Sequence, residues 1–234
     1  MSETTRQRAP RLPAQERRAA ILLKAASFFA AEGFSASTRD LAESMGIRQA
    51  LLYRYFPSKE ILIESVLEAF VKTNWNSQFS SIISDRTMLL EDRLKMVFLG
   101  QLENETEIAI RLLLHAVLDG WKLPVRLFDE LDKTLILPLV EEMRHINNFP
   151  TIQALPLMVG ERELAFALYG SINFYSLRQH LYKSEVCNDK NAVTKLYVDA
   201  FLKGAVESLK ALHQPDATSS LTKPFEHNQS TRKC

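Results

Sequence analysis

Cysteine is nearly absent. Cys187 and Cys234 are the only two in 234 residues, too few for a disulfide framework or a zinc site of four thiolates, and this usage points to a reducing, cytoplasmic setting. Seven glycines are about half of ordinary usage, which is roughly 7%. No apolar run reaches the length of about eighteen residues that a membrane-spanning helix needs. No alternating runs rich in Val, Ile and Thr lie between turn pairs, so little supports a sheet. The sequence also lacks G-x-S-x-G, H-E-x-x-H, the P-loop, G-x-G-x-x-G and zinc-spaced Cys/His. Its histidines, at 115, 145, 180, 213 and 227, show no ligand spacing. Neither an enzyme nor a bound metal or cofactor is expected.

Hydrophobic residues make up 46% of the chain and charged ones 24%, enough for a sizeable core. The net charge of +1 hides an asymmetry. Residues 1–59 carry ten Lys/Arg against five Asp/Glu, and residues 60–234 carry nineteen against twenty-three. A basic first quarter suits a polyanionic partner.

Proline and glycine punctuate an all-α chain. A first helix is expected over about 14–32, ended by Gly33. Its segment "ILLKAASFFAA" repeats apolar residues at helical spacing around Lys24, which marks an amphipathic helix rather than a targeting segment. Ser37 and Asp40 have capping spacing for a short second helix over 38–45. Gly46 makes the turn, and a third short helix runs over 48–55 until Pro57. Ser58 caps a fourth, which continues to about Ile83. Further helices are expected over about 88–102, 104–120, 124–147, 160–184 and 190–213, with Pro138 kinking or splitting its helix. Residues 148–159 read as a loop. Residues 1–12 read as a disordered basic arm and 214–234 as a disordered tail.

A short helix, a Gly-centred turn and a second short helix, backed by a longer first helix, form a helix-turn-helix. Arg48 and Gln49 are long donors at the start of its second helix, suited to base edges. Tyr53, Tyr55 and Lys59 carry donors suited to phosphate oxygens.

Three pieces carry a more specific likeness: "ILLKAASFFAAEGF" (21–34), "TRDLAESMGI" (38–47) and "LLYRYFPSKEIL" (51–62). They resemble the TetR/AcrR family of bacterial transcriptional regulators, and the likeness covers about residues 14–70. It implies a three-helix DNA-binding domain over 13–58 and a larger helical ligand-binding and dimerisation domain over 59–213. It places Thr38, Arg39, Arg48, Gln49, Ala50, Leu51, Tyr53, Tyr55 and Lys59 toward DNA, with Leu52 and Phe56 in the core. Arg48 stands where that family often has the Ser or Thr that caps the recognition helix, and losing such a cap costs about 1 kcal/mol. The implied function is a ligand-responsive regulator, a repressor, that binds a pseudo-palindromic double-stranded operator as a homodimer and is released by a small apolar or amphipathic effector. The competing reading is a helical small-molecule-binding or scaffold protein without sequence-specific DNA binding, which has no use for the basic first quarter.

In the remaining two-thirds, Trp75, Phe79, Phe98, Arg111, His115, Trp121, Phe128, Met143 and Phe166 are candidates to line an effector cavity. Arg111 and His115, four apart, share a helical face. For a dimer seam the candidates are Leu164, Leu168, Ile172 and Tyr175 on one helix, and Leu196, Ala200, Phe201 and Gly204 on the last. Ordinary intrachain core is the alternative for both sets.

Overall fold

The computed structural model describes residues 13–74, 78–214 and 219–225. The expected basic arm over 1–12 and candidate Trp75 lie outside them. Among the described residues the chain is helical, with no strand beyond one isolated bridge between Met158 and Pro224.

Four helices build the first core: α1 (Ala14–Glu32), α2 (Thr38–Ser44), α3 (Gln49–Tyr55) and α4 (Lys59–Asn74). Ile21, Ala25 and Phe29 recur every four residues along α1 and are fully buried, because that spacing keeps them on one face. They meet Leu41, Leu52, Phe56, Leu62, Ile63, Val66 and Leu67. Helix α4, assigned from sequence to the second domain, thus contributes its apolar face to the first core. Helix α1 ends at Gly33, whose N–H donates to the Phe29 carbonyl at 2.9 Å. Ser37 Oγ accepts the Asp40 N–H at 3.1 Å and starts α2. The turn at Gly46 has φ 64°, a left-handed value that glycine adopts without strain.

Helix α4 is described as far as Asn74, residues 75–77 of the expected continuous run to Ile83 lie outside the described residues, and α5 (Phe79–Ile83) follows Gln78 at its N-cap. The second core joins α5 and α6 (Leu90–Asn104) to α9 (Leu137–Ile146), α10 (Val159–His180) and α11 (Lys190–Leu212). Helix α7 (Glu107–Leu118) lies between the two cores, with Leu112 and Ala116 packed into the first. Between α8 (Leu123–Leu131) and α9, residues 132–136 widen into one π-helical turn just before Pro138. A wider turn accommodates a residue without an N–H, so the helical run continues through Pro138 without a break.

Two buried ion-pair systems tie this body together. Glu142 accepts from Arg93 and Arg86, both at 2.8 Å. Arg144 and Glu161, both fully buried, pair at 2.5 Å. Arg144 also donates to the carbonyls of Pro150, Leu155 and Pro156 at 3.1, 2.6 and 3.2 Å. One guanidinium thereby satisfies the backbone of the loop before α10, as buried polar groups require.

The expected disordered tail needs correcting in part. Residues 219–225 pack onto the start of α10: the Val159 N–H donates to the Lys223 carbonyl at 3.0 Å and the Phe225 N–H to the Leu157 carbonyl at 2.7 Å. The Arg162 guanidinium lies over the rings of both Phe166 and Phe225. Apolar Phe225 finds a cationic partner there, which a reading of tail polarity overlooks.

Candidate nucleic-acid interface and an apolar cavity

Helix α3 is fixed from beneath by Leu52 and Phe56, each about 1% exposed. The Arg18 guanidinium sits 4.8 Å from the Phe56 ring centroid and closes that edge. With Leu52 inward, Gln49, Ala50, Tyr53 and Arg54 face outward and are exposed, as are Arg39 on α2 and Arg48 at the α3 start. Arg48 makes no side-chain cap hydrogen bond, so its guanidinium is not spent on the helix end. Arg54 is absent from the sequence-based selection. It lies four residues after Ala50 and therefore on the same face, the signal by which it could have been found.

Thr38 departs from its assigned role. It is 6% exposed and acts as a hub joining α2 to α3. Gln49 Nε2 donates to Thr38 Oγ1 at 2.9 Å, and Tyr53 Oη shares a 2.9 Å hydrogen bond with the same oxygen. The Thr38 hydroxyl has two lone pairs and one proton, so it can accept from Gln49 and either donate to or accept from the Tyr53 phenol. Thr38 therefore orients Gln49 and Tyr53 rather than presenting itself. Leu51 and Tyr55 are half-buried, with Tyr55 packed on the first core. Lys59 Nζ donates to the Ser35 carbonyl at 3.1 Å, which places its ammonium beside the loop that leads into α2.

The second site is a cavity of about 480 Å³ lined by residues of α5, α6, α7, α8 and α10. Helix α7 contributes Ala109, Ile110, Leu113, Leu114 and Val117, and the α8 side contributes Leu127, Phe128 and Leu131. Helix α10 presents Phe166, Tyr169, Gly170, Asn173 and Leu177, while Gln101 comes from α6 and Glu105 from its C-terminal cap. The wall is apolar except where α6 faces α10. There Gln101 Nε2 donates to Asn173 Oδ1 at 3.4 Å. Burial raises the Glu105 carboxyl above its ordinary range, against the opposing effects of Ser176 and Lys190. Burial also pushes Tyr169 up to about 12.

Of the residues selected from sequence for such a cavity, Phe79, Phe128 and Phe166 line it. Phe98 and Met143 belong to the second core instead. Arg111 pairs with Glu107 at 3.0 Å on the surface of α7. His115 and Trp121 form the joint between the two bodies: their ring centroids stand 5.9 and 5.8 Å from that of Phe34. Gly33 is pressed against the same imidazole, since a Cβ built on it would stand 3.2 Å from His115 Cε1. The residues of α7 missed from sequence are plain aliphatics, whose types do not separate a cavity wall from solid core.

The seam candidates also divide. Leu168, Ile172 and Tyr175 are buried within the chain's own core, and Leu164 and Phe201 are half-buried. Leu196, Ala200 and Gly204 are exposed on α11. On α10 the exposed stripe is Ala167, Gly170, Ser171 and Phe174.

Residues 21–66 match the family model described as bacterial regulatory proteins, tetR family. The chain is 38% identical over 99 residues to the HTH-type transcriptional repressor KstR2 of Mycolicibacterium smegmatis, covering 41% of this chain and 47% of that one. To KstR2 of Mycobacterium tuberculosis it is 35% identical over 88 residues, 37% of this chain and 43% of that one. The chain thus spans about half the length of the curated relatives it matches. Both relatives are HTH-type transcriptional repressors. A TetR-like transcriptional regulator from Rhodococcus sp. RHA1 superposes with a TM-score of 0.60 at 19% identity, over 83% of this chain and all of that one. The TetR-family regulator PfmR from Thermus thermophilus gives 0.56 at 18% identity, over 78% and 97%. These two likenesses show the fold. Among the described residues no helix is long and apolar enough to cross a membrane, and no group of His, Cys, Asp and Glu could hold a metal.

Proposed function

We propose that the chain is a member of the TetR family of bacterial regulatory proteins and a ligand-responsive transcriptional repressor. It binds a pseudo-palindromic operator as a homodimer, and an apolar or amphipathic small molecule in the α5–α10 cavity releases it. The observation that carries this reading is the α3 surface: exposed Gln49, Ala50, Tyr53 and Arg54 on a helix locked by Leu52 and Phe56, flanked by Arg39 and Arg48. Phosphates take the cations and the phenol, and base edges take Gln49 and an arginine. No catalytic role is assigned to any residue.

Helix α7 supports the ligand half of the proposal. One side of it lines the cavity through Ala109, Ile110, Leu113 and Val117, and the other enters the DNA-binding core through Leu112 and Ala116. A ligand that displaces α7 must act on the contacts that hold α1. The exposed stripes on α10 and α11 are the proposed seam, since small residues let helices approach closely.

The test is selection of duplex DNA on the purified full chain, followed by affinity measurements. Recovery of a two-fold symmetric site, bound at least a thousandfold tighter than scrambled duplex, supports the reading. Binding that depends on salt but not on sequence would leave a generic polyanion binder in its place.

A further inference from the structure

Among the described residues the cavity is polar at one place only. Gln101 on α6 and Glu105 at its C-terminal cap face Tyr169 and Asn173, which lie one turn apart on α10. Among the described residues no lysine, arginine or histidine lines the cavity. Gln101 Oε1 and Glu105 Oε2 are both buried and have no hydrogen-bond partner among the described residues. Gln101 uses one amide N–H toward Asn173, and the buried atoms left without a partner at this end are both acceptors. The nearby cation is Lys190 on α11, and its ammonium donates to the Leu102 carbonyl at 2.6 Å.

Resting on the effector reading above, we propose that the cavity takes an apolar molecule with a protonated amine head, seated between Glu105 and Gln101. An ammonium brings several N–H donors and a positive charge. It meets two acceptors that the protein leaves unpaired and offsets a carboxylate held out of water. A hydroxyl satisfies one acceptor without the charge. A carboxylate or phosphate head sets a second anion against Glu105, with no cation among the described residues of the wall to balance it. The apolar length of α7 and α8 then takes the tail, which gives the site its selectivity for amphiphiles over small amines.

Glu105 also supplies a signature that a merely structural role does not. Its carboxyl sits above the ordinary range because it is buried, facing Tyr169 on α10 and Lys190 on α11. Amine binding needs the ionised form, so affinity for an amine must rise as pH rises through the Glu105 titration, then fall only when the amine itself loses its proton.

The experiment compares dodecylamine, dodecanol and dodecanoate, which share one tail, by titration calorimetry on the full chain below their micellar concentrations. The amine is expected to bind about tenfold or more tighter than the carboxylate, the size of effect that one desolvated charge contact supplies. Glu105→Gln, with folding confirmed by circular dichroism, should bring amine and alcohol within about threefold and flatten the acidic limb of the pH profile. Dodecanoate binding as well as the amine, or an amine preference unchanged in Glu105→Gln, overturns the assignment. Failure of every probe to bind overturns it as well. If the amine binds best but operator affinity does not move, the head chemistry stands and the release mechanism falls. If another head releases DNA more strongly, the effector reading stands and the amine assignment falls.

Discussion

Gly33 holds a backbone conformation of φ 78° and ψ 170° at the end of α1. That region is open essentially to glycine alone, and a residue with a Cβ held there costs about 1–3 kcal/mol. A second cost comes from space. The added methyl of Gly33→Ala would stand 3.2 Å from His115 Cε1 and 3.4 Å from Nδ1, so the imidazole has to withdraw from Phe34. Weakening that aromatic contact forfeits about 0.5–1.5 kcal/mol. The two together predict a loss of roughly 2–4 kcal/mol, a large fraction of a domain's net stability. The double variant Gly33→Ala/His115→Ala separates them, because removing the ring relieves the clash and leaves the backbone strain. Urea unfolding of the two single variants and the double one closes the cycle, with a coupling of about 0.5–1.5 kcal/mol expected. Gly33→Ala within about 0.5 kcal/mol of wild type would refute the strain, and a coupling of zero would refute the His115 contact.

Glu161→Ala should destabilise by about 3–5 kcal/mol, since it leaves Arg144 as a fully buried charge and strips the Met158 N–H of its acceptor. The sign with pH follows: burial pushes the Glu161 carboxyl up, but hydrogen bonds from Arg144, the Met158 N–H and His213 hold it below its ordinary range. Its stabilisation is therefore complete above the ordinary carboxylate range and is lost as pH falls through the lowered folded value, a slope that acid unfolding of wild type should show and Glu161→Ala should lack. Lys59→Ala should weaken binding to operator and scrambled duplex alike and reduce the salt slope by about one for each phosphate left without its ammonium, or two per dimer, measured by anisotropy against salt. Gly204→Glu should abolish the dimer in sedimentation while leaving the monomer folded, because nothing stands within 4 Å of the Cβ it adds.

The helix-turn-helix was legible because local signals define it. Gly33, Ser37, Gly46, Pro57 and Ser58 mark most of its boundaries in sequence, and each acts through its own backbone or cap. The roles of single residues on that motif were less so. Thr38 is polar whether it meets a phosphate or braces Gln49 and Tyr53, and only the packing of α2 on α3 separates the two. The cavity was legible in kind but not in detail, since its wall is drawn from helices far apart in sequence. Apolar periodicity says that a face is covered, not whether by a neighbouring side chain or by an enclosed space. His115 and Trp121 share a helix or its end with cavity residues and face the opposite way.

That opposition on α7 sets the scale of any control by ligand. A hundredfold loss of operator affinity corresponds to about 2.8 kcal/mol of coupling, and a ligand supplies it only by binding one arrangement of α7 better than another. The contacts that α7 and the segment just beyond it make with the DNA-binding body are of that order. The pairs of Phe34 with His115 and Trp121 are worth about 0.5–1.5 kcal/mol each, and shifting Leu112 and Ala116 partly out of the first core adds apolar exposure at about 25 cal/mol per Å². Displacing this one joint is thus enough, and no rearrangement of α3 itself is required. With Leu52 and Phe56 holding α3 from beneath, release in the proposed dimer would change the placement of two intact reading heads relative to one another. Ligand and operator must then oppose each other equally: DNA that fixes the heads lowers ligand affinity by the same factor. Calorimetric titration of ligand with and without operator measures that factor directly, and unequal factors would mean that the cavity and α3 do not share a single equilibrium.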